Sequence, residues 1–565
     1  MKKWIFVFLV LLLANGLSAQ ALRLESFRHQ ATFIIRDDLD YAIDGTDLLE
    51  VDGARIFTNL SNLSSGNEQI MGYNSDNTFV IGYVTPEFSG FKSAFFLGNL
   101  QNLDPAFLSL DLNGDGFPDI SGHGFLSGTW NREWDANGDG SIDFIDYRYT
   151  QAAGEQNNRE KDLLINIARD FGGGALAFVY KRISSKSTDD SSDSLYFDRE
   201  DYSTTDLTEF NREDNSGNLI SSWPSNEFRL GLSTPFMNWK LRGDAYLDMS
   251  RIDNSNVDRY HYFENLAPST PLITDTYLDT SYNNYTDNYA RNEAGVELGL
   301  EDIDPYLSWW ITGNFGFLFG NGNYENSSID FTESHSMNAG NVDSLYTTDL
   351  YSDSAPISVS GMNLGISGRM EWQISKNVRF GLGASYSSYS SNIEYNHDST
   401  YTARIEYNDG DLDPSDPDDY IDLTTGGVNY TKTYESVTNT FEVPVGLEIG
   451  VGKNKDWFIR FGALGRKIIT NGKNITEVNN AQREKHTITY GDGTTTTTYQ
   501  DVEYSSYKEN VYSESQTVDF AYGLGWKPSE NLRIDLIGMF DLPNTDIIST
   551  NWFRSLKLSA TVLFK

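Results

Sequence analysis

From about residue 227 to the C-terminus, the chain alternates apolar with polar or glycine positions in segments of roughly nine to twelve residues, the period of a strand whose two faces meet different surroundings. In "VDFAYGLGW", Val518, Phe520, Tyr522, Leu524 and Trp526 oppose Asp519, Ala521, Gly523 and Gly525. "FEVPVGLEIGV" sets Phe441, Val443, Val445, Leu447, Ile449 and Val451 against Glu442, Pro444, Gly446, Glu448 and Gly450. Met362, Leu364, Ile366, Met370 and Trp372 oppose Asn363, Ser367, Arg369 and Glu371, and Trp239, Leu241, Ala245, Leu247 and Met249 oppose Lys240, Arg242, Asp244 and Asp248. A soluble sandwich alternates too, so the connections decide. Short turns, "TPFMN" (234–238), "ISKN" (374–377), "GKNKD" (452–456) and "KPSEN" (527–531), take turns with long connections rich in Asp, Ser, Thr, Asn and Tyr. One end of the molecule is trim and the other is long.

This plan predicts an all-β, antiparallel transmembrane barrel, in which closure satisfies the backbone in lipid, trim turns face one side and long acidic loops face the other. Regular strands are expected near 227–233, 239–251, 291–300, 308–320, 357–374, 377–391, 436–451, 457–469, 512–526, 532–541 and 552–564. Less regular ones fall near 54–62, 77–84, 90–98, 161–169 and 174–183, for about sixteen strands, with fourteen as the even-numbered alternative. The last stretch, "SLKLSATVLFK", alternates Leu556, Leu558, Ala560, Val562 and Phe564 with polar positions and Leu563, and it resembles the terminal strand of bacterial outer-membrane barrel proteins. Lys565 follows the aromatic Phe564, where that pattern ends on the aromatic itself. The resemblance is to a porin-like architecture over residues 55–565, not to a particular family, and it implies a place in the outer membrane of Gram-negative bacteria.

The N-terminus fits export to that membrane. "MKKWIFVFLVLLLANGLSAQ" has two lysines, an apolar run from Trp4 to Ala14 and a small-residue site at Leu17–Ala19, so residues 1–19 read as a signal peptide and the mature chain starts at Gln20. The apolar run falls short of the ~20 residues that a spanning helix needs. The chain has no cysteine, which removes both a lipid attachment point and any disulfide. Residues 20–53, with the acidic "RDDLDYAIDGTDLLEVDG", lack clean alternation and read as a periplasmic segment or a plug entering the lumen; residues 54–565 form the barrel. Aromatic residues at 14% and 48 glycines against 14 prolines favour strands over helices. A net charge of -39 argues against nucleic acid and anionic surfaces as partners, and for cations or cationic solutes.

With the apolar faces toward lipid, Lys240, Arg242, Asp244, Asp248, Glu297, Arg369, Glu371, Arg379, Glu442, Glu448, Arg460, Arg533 and Asp535 point inward. Unpaired burial would cost several kcal/mol each, so they are expected to be paired or wet. A barrel of this size is wide enough for water, and a porin-like passage follows; the competing arrangement is a lumen filled by paired charges and a plug.

Two acidic loops punctuate the connection 99–160. In "DANGDGSIDFID", a twelve-residue calcium-loop register places Asp135, Asn137 and Asp139 at positions one, three and five, Gly140 at the turn, the Ser141 carbonyl at seven, Asp143 at nine and Asp146 at twelve. These oxygen ligands suit a hard cation. Aspartate at the last position resembles dockerin-type loops among the EF-hand-like sites. "DLNGDGFPDISG" supplies Asp111, Asn113, Asp115, the Phe117 carbonyl and Asp119, with Gly122 at the twelfth place. A structural Ca2+ role is expected, stiffening an outer loop that no disulfide staples. "NDGDLDPSDPDD" (408–419) lacks the register and reads as a solvated acidic run or a weak cation site.

Six histidines, His29, His123, His261, His335, His397 and His486, fall in no GxSxG or HExxH frame, so the expected role is not catalytic. Diffusion of small solutes through a polar lumen is the leading expectation, with outer-membrane lipid and small solutes or cations as partners. The alternative is a surface binding or adhesion protein anchored by a plugged barrel. A homo-oligomer or a surface partner is compatible with either.

Overall fold

The computed structural model describes residues 38–62, 75–105, 107–113, 117–201, 207–266, 276–304, 306–338, 341–410, 418–452, 456–529, 531–541 and 557–564. Residues 1–19, expected as a signal peptide, and residues 20–37, Asp115 and the centre of the third acidic tract lie outside them.

After a short helix α1 (Asp38–Ile43) and a 3-10 turn (Gly45–Glu50), everything regular is strand: β1 (Ala54–Asn62), β2 (Ser75–Val84), β3 (Phe91–Pro105), β4 (Phe107–Leu110), β5 (Ile120–His123), β6 (Phe125–Trp134), β7 (Phe144–Asp170), β8 (Ala175–Asp201), β9 (Leu207–Phe236) and β10 (Trp239–Leu266). There follow β11 (Thr276–Ile303), β12 (Leu307–Asn338), β13 (Asn341–Ser375), β14 (Val378–Asn408), β15 (Tyr420–Val451), β16 (Trp457–Ala481), β17 (Glu484–Tyr490), β18 (Thr495–Gln500), β19 (Tyr507–Ser529), β20 (Leu532–Asp541) and β21 (Lys557–Phe564). The main sheet holds 19 strands. Each strand pairs antiparallel with the next along the chain, except that β3 passes directly to β7 and β16 to β19. Strands β6, β17 and β18 hang on the outside of this order, which leaves 16 in a ring that closes where β1 pairs with β21, from Ala54↔Phe564 to Asn62↔Lys557.

The sixteen expected strands all fall on strands of the ring, the last of them described from Lys557; residues 453–455, 530 and 552–556, in two of the expected turns and the start of that strand, lie outside the described residues. Phe236 pairs with Trp239 and Ser375 with Val378 across two-residue turns. Met237 takes φ 57°, in a region glycine favours, because a two-residue hairpin demands a positive φ there.

The outer face is apolar over a limited height. On β13, Trp372, Met370, Ile366, Leu364 and Met362 are exposed and outward, while Ser360, Ser358 and Ser354 continue the same face above them. The span from Trp372 to Met362 matches the ~9–11 residues with which a tilted strand crosses a bilayer. Leu298, Phe317, Leu232 and Val443 extend this belt around the ring. At its trim rim, Trp239 meets Trp309 edge-on at 5.7 Å and Trp457 stacks on Trp526 at 5.5 Å, an aromatic girdle.

The long connections differ from expectation. Segment 321–356 is not a loop: Asn321↔Ser358 through Asn338↔Asn341 form one unbroken ladder. At about 3.3 Å per residue the 35 residues of β13 run for roughly 115 Å, far beyond a bilayer. The apolar alternation ends where contact with lipid would end, but Tyr, Thr and Ser sustain a strand without it.

Candidate functional site: the charge-lined interior

The inner face is built from the residues that alternate with the apolar belt. On one wall, Arg379 donates to Glu448 (2.6 Å) and Glu371 (3.1 Å), Arg460 donates to Glu448 (2.7 Å) and Asp535 (2.6 Å), and Arg533 donates to Asp535 (3.0 Å). Arg466 reaches Glu442 at 2.7 Å, and the Arg369 guanidinium lies 3.8 Å from the centroid of the Trp310 ring. Asp535 is wholly buried, so its charge persists only because two arginines hold it. These strands place opposite charges side by side because cross-strand neighbours on one face sit within side-chain reach.

The opposite wall is filled. The 3-10 turn and α1 lie against the inner face of β3, β7, β8 and β9, where Ala42, Leu48 and Val51 join Phe57, Val84, Ala94, Phe96, Leu164, Ala168, Ala177 and Val179 in one apolar core. The segment is fixed by polar anchors too. Asn166 Nδ2 donates to the Ala42 and Gly45 carbonyls (3.1 and 3.0 Å). Arg242 holds Asp44 (2.8 Å) and the buried Asp47 (2.7 Å), and Lys240 holds Asp47 and Glu301, both at 3.0 Å. The acidic stretch that broke the alternation thus matches two inward cations from β10. Arg229, between Glu227 (3.1 Å) and Glu297 (3.3 Å), completes the belt; it was missed because its strand is called only from its apolar partners.

The acidic motifs are hairpin loops. Leu110 pairs with Ile120 and Trp134 with Phe144, so each motif spans the nine residues between paired strands, 111–119 and 135–143. They fold alike: Asp119 N–H donates to the Leu110 carbonyl (2.8 Å) and Asp143 N–H to the Trp134 carbonyl (3.0 Å). Asp119 Oδ2 accepts from Leu112 (2.8 Å) and Asn113 (3.2 Å), as Asp143 Oδ2 does from Ala136 (2.9 Å). In the second loop the Asp135 carboxylate takes the N–H groups of Gly138 and Gly140 (both 2.6 Å) and of Asn137 (3.1 Å), Asn137 Oδ1 takes that of Asp139 (2.9 Å), and Asp139 takes that of Ser141 (2.8 Å). The Gly140 N–H lowers the Asp135 pKa, and the Ser141 N–H lowers that of Asp139. Phe117 is exposed at the rim of the first loop.

Asp146, expected at the twelfth ligand position, is not with the others. It lies on β7 opposite Arg132, nearly buried, and accepts from Arg199 Nε (2.7 Å) and Nη2 (3.3 Å), while Arg199 also reaches Glu209 at 2.7 Å. The twelve-residue register presumes a helix after the loop; here a strand follows and carries Asp146 away. Among the described residues no three His, Asp or Glu side chains converge as metal ligands.

His335 has a serine partner that local sequence could not reveal: Nδ1 meets Ser344 Oγ across the ladder (2.8 Å) and Nε2 meets Glu333 (2.6 Å). His261 with Thr280 and His486 with Thr424 repeat the cross-strand pairing, which makes it a property of the ladder.

No family model and no curated protein matches the chain. Among solved structures it is similar to a mutant of the ferric enterobactin receptor PfeA from Pseudomonas aeruginosa (8% identity, 91% of this chain and 80% of that one, TM-score 0.25). It is also similar to the FrpB iron transporter from Neisseria meningitidis (10% identity, 92% and 83%, TM-score 0.25) and the outer membrane transporter YddB from Escherichia coli (9% identity, 90% and 80%, TM-score 0.24).

Proposed function

We propose that the chain is an outer-membrane β-barrel that passes small solutes, with a preference for cations, through its charge-lined interior. The observation that carries this reading is the closed ring whose outer face is apolar over one bilayer thickness while its inner face is lined by paired charges. The net charge of -39 favours cations near the mouth. Swelling of liposomes that contain the refolded protein tests it: entry of small neutral and cationic solutes with a size cut-off supports diffusion, and no entry of any solute overturns it.

Calcium belongs to the same proposal as a structural ion. Asp135, Asn137, Asp139, the Ser141 carbonyl and Asp143, with their counterparts Asp111, Asn113, Asp115, the Phe117 carbonyl and Asp119, offer the oxygen donors a hard cation takes. Asp146 is withdrawn from this set by Arg199. Calorimetric titration with calcium, on wild type and on Asp135→Ala with Asp111→Ala, tests it: saturable binding lost in the variant is expected.

The alternative, a surface binding protein on a plugged barrel, draws on the buried segment 38–51 and on a cleft of about 430 Å³ in the projecting wall, lined by Asp193, Asp214, Arg259, Tyr260, His261 and Tyr282 among others.

A further inference from the structure

Above the apolar belt the inner face of β11–β15 changes character. One row across the ladders reads Asp287↔Tyr324, Tyr324↔Ala355 and His397↔Tyr430. Tyr324 stands edge-on to Tyr285 (5.5 Å), Tyr395 (6.1 Å) and His397 (5.1 Å), and His397 stacks on Tyr430 at 4.4 Å and on Tyr395 at 5.8 Å. Ala355, small and buried, lies across from Tyr324.

Two nearly buried carboxylates sit among these rings. Among the described residues Asp287 accepts phenolic hydrogens, from Tyr285 (3.4 Å) and Tyr395 (3.3 Å). Asp353 gathers His397 Nδ1 (2.9 Å), Tyr430 (3.1 Å) and Tyr351 (3.3 Å) on Oδ2, while its Oδ1 and His397 Nε2 are buried with no hydrogen-bond partner. Among the described residues no lysine or arginine forms an ion pair with either carboxylate. Lys432 lies 5.3 Å from the centroid of the Tyr430 ring, and Arg291 is committed to Tyr389 (2.7 Å). The contrast with the lower belt, where Asp535 and Glu448 are each held by two arginines, is chemical. Among the described residues Asp353 has only His397 as an ion-pair partner, and only when the ring is protonated; a buried carboxylate without a permanent cation is expensive, and a mobile cation removes the cost. Tyrosine faces attract cations as well.

We propose that this tyrosine cage, with Asp287 and Asp353 as counter-charges, binds small organic ammonium ions inside the outer half of the barrel. It rests on the diffusion reading above and names the solute class. Aromatic faces take the alkyl shell of an ammonium, and the two carboxylates take its charge.

The test is calorimetric titration of the full-length, detergent-folded protein with choline and with its neutral isostere 3,3-dimethylbutan-1-ol. Saturable choline binding, absence of binding by the neutral alcohol, and a loss of about tenfold or more in affinity in Asp287→Asn and in Tyr324→Leu are expected. Using two variants guards against misfolding of either, because near-ultraviolet circular dichroism reports each fold. Equal binding of the two probes, no choline binding by the folded protein, or unchanged affinity in both variants overturns the proposal. Binding is read without current, so a barrel that binds choline but passes no solute refutes the diffusion reading alone, and one that passes solutes without binding choline refutes the cage alone.

Discussion

The two sides of the interior are built from the same strand period and reach opposite ends. Along β1–β3 and β7–β8 the inward face is largely apolar, with Arg55, Lys92, Glu160 and Asn166 buried beside it, and Phe57, Phe96 and Leu164 close over Leu48 of the N-terminal segment. Along β13–β16 and β20 the inward positions are charged, and no segment of the described chain covers them as α1 and the 3-10 turn cover the first wall. An apolar inner wall must bury itself against something. A charged wall needs only internal pairing and water. The segment is therefore seated by the wall that requires it, and the opposite wall is the one that would border the proposed passage.

The largest expected effect separates the walls by charge. Replacing Arg460 with Ala leaves buried Glu448 and Asp535 each short of a partner and is expected to cost about 3–5 kcal/mol in urea unfolding of the detergent-folded barrel. Glu448→Gln with Asp535→Asn in that background is expected to recover most of it; no loss in the single variant would mean that water compensates these charges.

On the filled wall, Arg242→Ala strips Asp44 and Asp47, and a local destabilisation of about 3 kcal/mol should release the segment. New protease cleavage within residues 38–51, with the urea midpoint of the barrel unchanged, is the readout. Asn166→Leu removes two bonds to the same segment and leaves the Ala42 and Gly45 carbonyls without that donor, with about 1–3 kcal/mol expected in the same assay.

The smallest effect concerns the hairpin loops. Asp135 has a folded pKa below its ordinary 3.8, so its contribution to loop order is fully present above that value and fades as pH falls through the lower, folded pKa. Exchange protection of the Gly138 and Gly140 amides should therefore be constant from neutral pH to about 4 and drop below it. Unchanged protection in stronger acid would show that these bonds do not depend on the carboxylate charge.

The belt and its inward charges were legible because a strand with one apolar and one polar face writes an alternation into sequence: Trp372 to Met362, and Arg369 and Glu371 between them, could be placed by parity alone. The projecting strands were not, since both faces there carry polar groups or tyrosine, and Ser354 and Asp353 give no sign of which faces in. Spacing marked Asp135 to Asp143 as one loop, and the structure folds them into the hairpin between Trp134 and Phe144. Asp146, twelfth in the spacing, lies on β7 against Arg199, because spacing carries no information on whether helix or strand follows. Ser344 and Arg199 act through cross-strand register, which no local window contains.

If the proposed function holds, one side of the barrel interior remains a passage. Single-channel recording in a planar bilayer, on wild type and on Arg242→Ala, tests it most directly. Stable cation-selective steps are expected in wild type, with larger conductance or more frequent opening once the segment is loosened. A correctly folded barrel that stays silent in both would contradict it.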